Sequence, residues 1–479
     1  MSAAAEITAL ASRRRWEVLL VGALLALLSL PLAALVYRSL LIEPINYNEG
    51  WNAYYASLLI HGGPLYYPQQ ALLSNNYPPL SFLIIASLSA FFGDSLFVGR
   101  AIAWLAFAVI TAAIAAILRR IDGDRLPALF GAGMFASYMV VNYDIYVGMD
   151  DPQMLAHALL LLGLYVYLRH RPAAWAGVVA ALLMCAGLFT KHNVIGLPLA
   201  LTVWLAVYDR AACLRFIAIG LLSVSAGLTG STVVFGPDFL IDLTASRPYF
   251  AVRAWRHALE WTFPMQGPLA LAMFASAPGV RDGYSVLFTF YAIVSLLLGC
   301  VAAGGDGTNF NLVFDVVIGA ALAAGHLVAR LETRAPRLRF WVMAAYGASC
   351  CLTAALVAKK EALLIQPWID HQRRLEAETR EEVKIVARQP GPALCESLAV
   401  CYWAGKDLEL DPLNFAFGVA AGTKDLDAVL RRISGGYYAV IVINPPESVN
   451  HFLPAKLVDT VRAHYRLAAT PHSELYVRP

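Results

Sequence analysis

Long apolar runs, broken at short intervals by arginines or small polar loops, constrain this chain more than any other feature. They fall at about 16–36, 95–117, 126–141, 152–168, 173–189, 194–208, 213–234, 262–278, 284–301, 311–330 and 338–358. A helix needs about 20 apolar residues to cross a bilayer, so the shorter runs must borrow from their flanks. Of the 479 residues, 59% are hydrophobic and 14% charged. A usual soluble domain carries about 25% charge. Disordered, fibrous and ordinary soluble chains are thereby excluded. A net charge of +3 offers no basic surface for nucleic acid. From Lys359 onward 30 of 121 residues are charged, against 39 of the 358 before it. We therefore expect a membrane domain over 1–358, a linker or helix end over 359–380 and a soluble domain over 381–479.

The first run follows Arg13, Arg14 and Arg15 and is too long for a signal peptide. Those arginines hold its start in the cytoplasm. Threading the runs alternately then places Arg119, Arg120 and Arg125 inside. Arg169 to Arg171, Arg210, Arg215, Arg281 and Arg330 to Arg339 follow them there. The loops 38–78, 142–151, 190–193, 235–261 and 302–310 fall outside, with the C-terminal domain. Pro79 to Phe92 is apolar but too short to span, and a span there would move the arginines outward. A re-entrant or interfacial helix is expected.

The outer loops carry the unusual chemistry. The first, rich in Tyr, holds Glu49 just above the first span. A carboxylate at a membrane mouth is costly unless solvated, paired or used. The aromatics after it read equally as an interfacial belt. In the second loop Asp144, Asp150 and Asp151 crowd together. Such crowding favours a cation or a raised pKa, although DDP is also an ordinary helix start. The third turn, FTKHNV, puts Lys191 and His192 outside, against the bias of the other loops. A phosphate explains that exception, and snorkelling to headgroups is the bland account. Arg247, Arg253, Arg256 and His257 form a second outer basic patch. The fifth turn, GGDGTNFN, lacks the lysine of a P-loop, so nucleotide hydrolysis is rejected. Its Asn309 and Asn311 can hydrogen-bond a polar ligand, and Asp315 lies one turn into the next run.

In the C-terminal part, EEVKIVA, YYAVIVINP and, more weakly, ELYVR read as strands, and DLDAVLRRI and LPAKLVDTVRAHY as amphipathic helices. A small α/β domain follows, serving as a lid, acceptor platform or interaction module. Asp407, Asp411 and His451 read as surface or turn residues. Cys395 and Cys401 allow a disulfide in an oxidising compartment. Six residues apart on one helix, they would face away from each other.

In order along residues 16–358, several segments resemble the GT-C superfamily of membrane glycosyltransferases, particularly bacterial proteins similar to aminoarabinose and protein O-mannosyl transferases. NEGWNAYYASLLIHGGPLYYP is similar to the first-loop motif, and NNYPPLSF to the segment after it. FGDSLFVGR, DDPQM, LFTKHNVIGLP and GGDGTNFNLVFD are similar to later ones. The resemblance implies a mainly α, polytopic fold of about 11 spans with a periplasmic C-terminal α/β domain, in a bacterial inner membrane. It implies inverting transfer of a sugar from polyprenyl phosphate to a lipid, polysaccharide or protein acceptor. Glu49, or its neighbour Asn48, occupies the catalytic acid position; relatives often have Asp-Glu where this chain has Asn-Glu. Asp150 and Asp151 fall at the second acidic position. Lys191 falls at the donor phosphate, with His192 assisting it; the outer patch with Arg253 and Arg256, read from the residues themselves, would grip a phosphate or diphosphate or else touch lipid headgroups. Asn48, Tyr54, Tyr55, Tyr77, Asn309 and Asn311 are expected against the substrate. Some relatives use a divalent metal and others none; Mg or Mn would fall to Glu49, Asp150 and Asp151. A transporter or flippase of a lipid-linked saccharide is the competing reading, although no internal repeat is evident.

Overall fold

The structure, a computed structural model, describes residues 3–171, 173–244 and 248–479, with the side chains of 3–13, 346, 348–354 and 356–364 left out. Arg13, Arg247, Cys350, Cys351 and Lys359 lie outside the described side chains. The membrane part opens with α1 (Ala3–Ser39), α2 (Asn48–Ile60), α3 (Leu80–Phe92), α4 (Ser95–Asp122) and α5 (Arg125–Asn142). It continues through α6 (Pro152–His170), α7 (Ala174–Thr190), α8 (Gly196–Tyr208), α9 (Arg210–Phe235) and α10 (Asp238–Leu243). α11 (Ala251–Thr262), α12 (Gln266–Ala275), α13 (Gly283–Ala302), α14 (Phe314–Arg334) and α15 (Pro336–Arg388) complete it.

Acidic residues start many of these helices. The carboxylates of Asp94, Asp124, Asp151, Asp209 and Asp282 accept backbone N–H groups of the first turns of α4, α5, α6, α9 and α13. Each satisfies donors that the helix itself leaves unpaired. Among the described residues, five apolar helices reach spanning length: Arg14–Ser39, Ser95–Asp122, Arg210–Phe235, Gly283–Ala302 and Phe310–Arg334. The chain is a multi-pass membrane protein. Other expected spans are shorter helices, such as α7 with 17 residues and α8 with 13. The run 262–278 is not one helix. It breaks at a 3-10 turn over Phe263–Met265, where Pro264 removes a donor, and leaves a 10-residue α12. α3 has 13 residues, about 20 Å at 1.5 Å per residue, too short for a ~30 Å hydrocarbon core.

One end of the bundle is fastened by ion pairs. Arg339, 3% exposed, meets Glu17, Asp124 and Glu332, and Arg14 meets Asp124 and Glu332. His326 on α14 bridges Asp122 and Asp282. The other end carries the long loops and the C-terminal domain.

That domain begins while α15 is still helical. EEVKIVA, expected as a strand, forms the last turns of this 53-residue helix. In these last turns Thr379, Glu382 and Val386 are buried, a helical spacing rather than an alternation. After it come β1 (Ala393–Cys395), α16 (Leu398–Trp403), α17 (Pro412–Ala420), α18 (Leu426–Ser434), β2 (Val440–Ile443), α19 (Ala455–His464), β3 (Arg466–Ala469) and β4 (Glu474–Val477). The sheet order is β1-β2-β4-β3, with β1 and β2 parallel and the other pairs antiparallel. All four residues of β2 are buried, because both faces are covered. Ile441 and Ile443 pack with Val429, Ile433, Leu457 and Val461 of α18 and α19. Val440 and Val442 pack on the opposite face with Trp51, Tyr54, Tyr55, Tyr66 and Phe82 of the membrane part. The domain is thus seated by its own apolar face. Gly50 permits that seat: a Cβ there would lie 2.1 Å from the Ala399 backbone nitrogen of α16. Cys395 and Cys401 form a disulfide, Cα–Cα 5.8 Å, contrary to the single-helix expectation. Cys395 ends a strand and Cys401 lies on α16, so a turn brings them together.

Candidate active site

At the loop-bearing end, the first, second, third and fifth outer loops meet α10 and the C-terminal domain around a cavity of about 620 Å3. Asn48, Tyr77, Lys191, His192, Asn309 and Asn311 line it. Tyr54, Tyr55, Glu49, Asp150, Asp151, Arg253 and Arg256 are not on its wall. Tyr55 is fully buried, and its hydroxyl donates to the Ser74 carbonyl at 3.3 Å. Tyr54 packs beside it, edge on. These two rings join the domain seat instead of lining the cavity, because α2 turns their face toward α16.

Glu49 is 0% exposed and points into the wall. Its carboxylate accepts from Arg100 Nε at 2.8 Å and Arg100 Nη2 at 2.7 Å, from Ile45 N at 2.6 Å and from Asp150 N at 3.0 Å. Arg100, 1% exposed, also donates to the carbonyls of Ser39, Leu41 and Glu43. One ion pair therefore ties α2, α4, the first loop and the second loop together. Each partner answers the other's desolvation, and removing one leaves a buried charge. Sequence reasoning missed Arg100 as that partner. The signal was present, since an arginine within an apolar helix needs a partner.

Asp150 lies directly behind this pair. Burial, then the nearby Glu49 and Asp151 carboxylates, push its carboxyl well above the usual range. Gly99 makes room for it: a Cβ there would sit 2.1 Å from the Asp150 carboxyl carbon. Asp151 caps α6 and faces Lys191 Nζ at 3.4 Å. Lys191, 3% exposed, also lies 3.6 Å above the centre of the Tyr77 ring. The lysine is thus held between a carboxylate and a π face on the cavity wall. Asn311 donates to Gln153 at 3.1 Å, and Gln153 contacts His157 at 2.9 Å. His157 and Tyr291 both meet Asp315, so the Asn311 amide is oriented by a buried polar chain.

Arg253 pairs with Asp306, which does line the cavity. Arg256 is exposed on α11 and pairs with Glu260 at 2.8 Å, away from the wall. Further lining residues were not singled out from sequence: Asn46, Asn76, Tyr146 and Asn193, together with Asn414, Asn450 and Phe452 of the C-terminal domain; Asp411, read as a surface or turn residue, is 1% exposed and lines the cavity, because it caps α17 at the domain's seat. The Phe452 ring meets Tyr47 at 5.0 Å. Buried Glu396 pins the Phe452 loop by accepting from the N–H groups of Asn444, Phe452 and Leu453. Among the described residues, eight asparagines and three charged side chains (Lys191, Asp306, Asp411) face the cavity. Carboxamides both donate and accept, which matches the hydroxyls of a sugar.

The three carboxylates suggested for a metal do not fit one. Both Glu49 oxygens face Arg100, and Asp151 is committed to Lys191 and the α6 cap. Among the described residues no other cluster of metal-binding side chains occurs.

Comparison with known proteins follows the same architecture. The chain superposes on ArnT from Cupriavidus metallidurans bound to undecaprenyl phosphate with a TM-score of 0.63 at 13% identity, over 95% of this chain and 98% of that one. The two chains share a fold. The apo state of the same ArnT gives a TM-score of 0.63 at 14% identity over 97% and 98% of the two chains. The Archaeoglobus fulgidus oligosaccharyltransferase in complex with Zn and sulfate gives 0.54 at 10% identity, over 94% of this chain and 73% of its own. Residues 76–235 match the dolichyl-phosphate-mannose-protein mannosyltransferase family model. No curated protein matches by sequence.

Proposed function

We propose that this protein is an inverting glycosyltransferase of the GT-C type that moves a sugar from polyprenyl phosphate to a hydroxyl of a cell-envelope acceptor. The periplasmic face of a bacterial inner membrane is its place of action, with the N-terminus in the cytoplasm. The observation that carries this reading is Lys191, buried on the wall of an amide-lined cavity built from several loops. Undecaprenyl phosphate bound to ArnT, and the family model matched by residues 76–235, support a polyprenyl-type donor.

Lys191 holds the donor phosphate and stabilises the charge it gains as the sugar–phosphate bond breaks. His192 lies beside it on the wall. Asn48, Asn309 and Asn311 hold the sugar hydroxyls against the rings of Tyr77 and Trp51. The acceptor oxygen attacks the anomeric carbon opposite the phosphate. The carbon–oxygen electron pair leaves with the phosphate, and a carboxylate takes the hydroxyl proton. Of the two carboxylates on the wall, Asp411 caps α17 through the Asn414 N–H. Asp306 is the one placed to receive the proton, aimed by Arg253. Glu49 and Asp150, proposed as acids from sequence, serve by anchoring the first loop that presents Asn48. Asp151 positions Lys191. Every step runs through these side chains, and none is routed through a metal.

Turnover of polyprenyl-phosphate sugars with a mixed envelope acceptor pool tests this. The wild type releases free polyprenyl phosphate, and Lys191→Ala slows the release roughly 100-fold or more. Movement of intact donor across the membrane without cleavage would instead make the protein a flippase.

A further inference from the structure

At the opposite end of the bundle lies a second cavity, of about 900 Å3, where α4, α5 and α6 meet. Its polar rim is cationic: Arg119 and Arg120 from the last turn of α4, Arg125 from the first of α5, and Arg169 and His170 from the last of α6. Its floor is alkyl, built mainly from alanines of α4 and α5. No acidic residue lines it among the described residues. The nearest acids in sequence are turned elsewhere. Asp124 faces Arg14 and Arg339, and Asp122 faces His326. Arg14, Arg330 and Arg339 at this end have carboxylate partners. Arg119, Arg120, Arg125 and Arg169 meet no carboxylate among the described residues; Arg169 lies over the Tyr165 ring.

Two ordinary causes account for part of this cluster. Cations complement helix C-termini, which explains Arg119, Arg120, Arg169 and His170. Arginines also favour the cytoplasmic side. The first does not explain Arg125, which sits at a helix N-terminus where the macrodipole disfavours it. Neither calls for a concave pocket with a hydrocarbon floor. All the rim cations except His170 are arginines, whose forked guanidinium matches phosphate oxygens two at a time.

We propose that this pocket binds an anionic phospholipid from the cytoplasmic leaflet, with its phosphates on the arginines and its upper acyl chains on the alanine floor. Several guanidiniums within one cavity suit a lipid with two phosphodiesters better than one with a single phosphate. The site is independent of the transfer chemistry at the other end, and its test needs no donor or acceptor.

Native mass spectrometry of the full chain in detergent, with added cardiolipin, phosphatidylglycerol or phosphatidylethanolamine, measures retention. Cardiolipin should be retained most and phosphatidylethanolamine least. The triple variant Arg119→Gln, Arg125→Gln, Arg169→Gln should lose cardiolipin affinity by roughly tenfold or more. Arg281→Gln, an exposed control, should keep it. Unchanged melting of the triple variant without added lipid shows that its fold is intact. Equal retention of all three lipids, or unchanged cardiolipin retention in the triple variant, would overturn the proposal. Displacement of cardiolipin by equimolar polyprenyl phosphate would also overturn it, assigning the pocket to the donor.

Discussion

Among single residues, the Glu49–Arg100 pair and the Asp306 carboxylate separate support from chemistry. Glu49→Gln leaves the Arg100 guanidinium buried without its counter-charge, at a cost of about 3–5 kcal/mol. We expect a lower melting temperature for Glu49→Gln, and an Arg100→Met, Glu49→Leu double variant that recovers part of the loss. Equal melting of Glu49→Gln and wild type would contradict the anchoring role. Asp306→Asn keeps the shape of the wall and removes its proton acceptor. Its kcat should fall by about 10²–10⁴-fold with KM little changed, and melting should be unaffected. A variant as fast as wild type would remove Asp306 from the proton path. The sequence displayed Glu49, Lys191 and the asparagines as unusual groups. It did not show which way they point, because direction depends on partners distant in the chain. Glu49 turns inward because Arg100 lies 51 positions later. Lys191 faces the cavity because Asp151 and Tyr77 hold it there.

For elements, apolar runs were easily legible and their ends were not. The range read for α4 starts with the helix, where the Asp94 cap marks the boundary, and its last turn carries Arg119 and Arg120; α13 has an acidic cap only at its start, and α14 an arginine only at its end. EEVKIVA misled because four apolar and β-branched residues in seven mimic a strand, while the helix entering from the membrane decides their state. β1 and β3 are short strands whose pairing comes only from the sheet. The start of α15's outer part also carries a pH dependence. Burial, then neighbouring Glu382 and Glu378, raise Glu43 from 4.5 to about 7, although Thr379 hydrogen-bonds it. Between pH 4.5 and 7 the folded protein therefore binds more protons at Glu43 than the unfolded chain. This contribution favours folding at low pH, declines as pH rises through that window and stays lost above 7. Melting measured from pH 5 to 8 should fall less with pH in Glu43→Gln than in wild type. Identical slopes would show that Glu43 does not titrate in this window. Reduction of Cys395–Cys401 closes out another element-level constraint. Its short loop predicts a loss of about 2 kcal/mol in the C-terminal domain, read by melting with and without reductant.

Across the whole molecule, the division of labour follows polarity. One end of the bundle gathers ion pairs and arginines that meet no carboxylate among the described residues, and the other gathers carboxamides, aromatics and a buried lysine. The C-terminal domain completes the second end, with Val440 and Val442 on the membrane part's aromatic cluster and Asn450 and Phe452 over the cavity. Its existence was legible from the rise in charge after Lys359, but its share of the cavity was not. No local motif marks Asn414 or Asn450 as wall residues; only the docking does. A structure with a polyprenyl phosphonate sugar, which keeps the donor shape and resists cleavage, tests the central claim most directly. The account predicts its phosphonate within hydrogen-bonding distance of Lys191 Nζ and its sugar against Asn309 and Asn311. A phosphonate seated on Arg253 and Arg256, or in the arginine pocket at the far end, would contradict it.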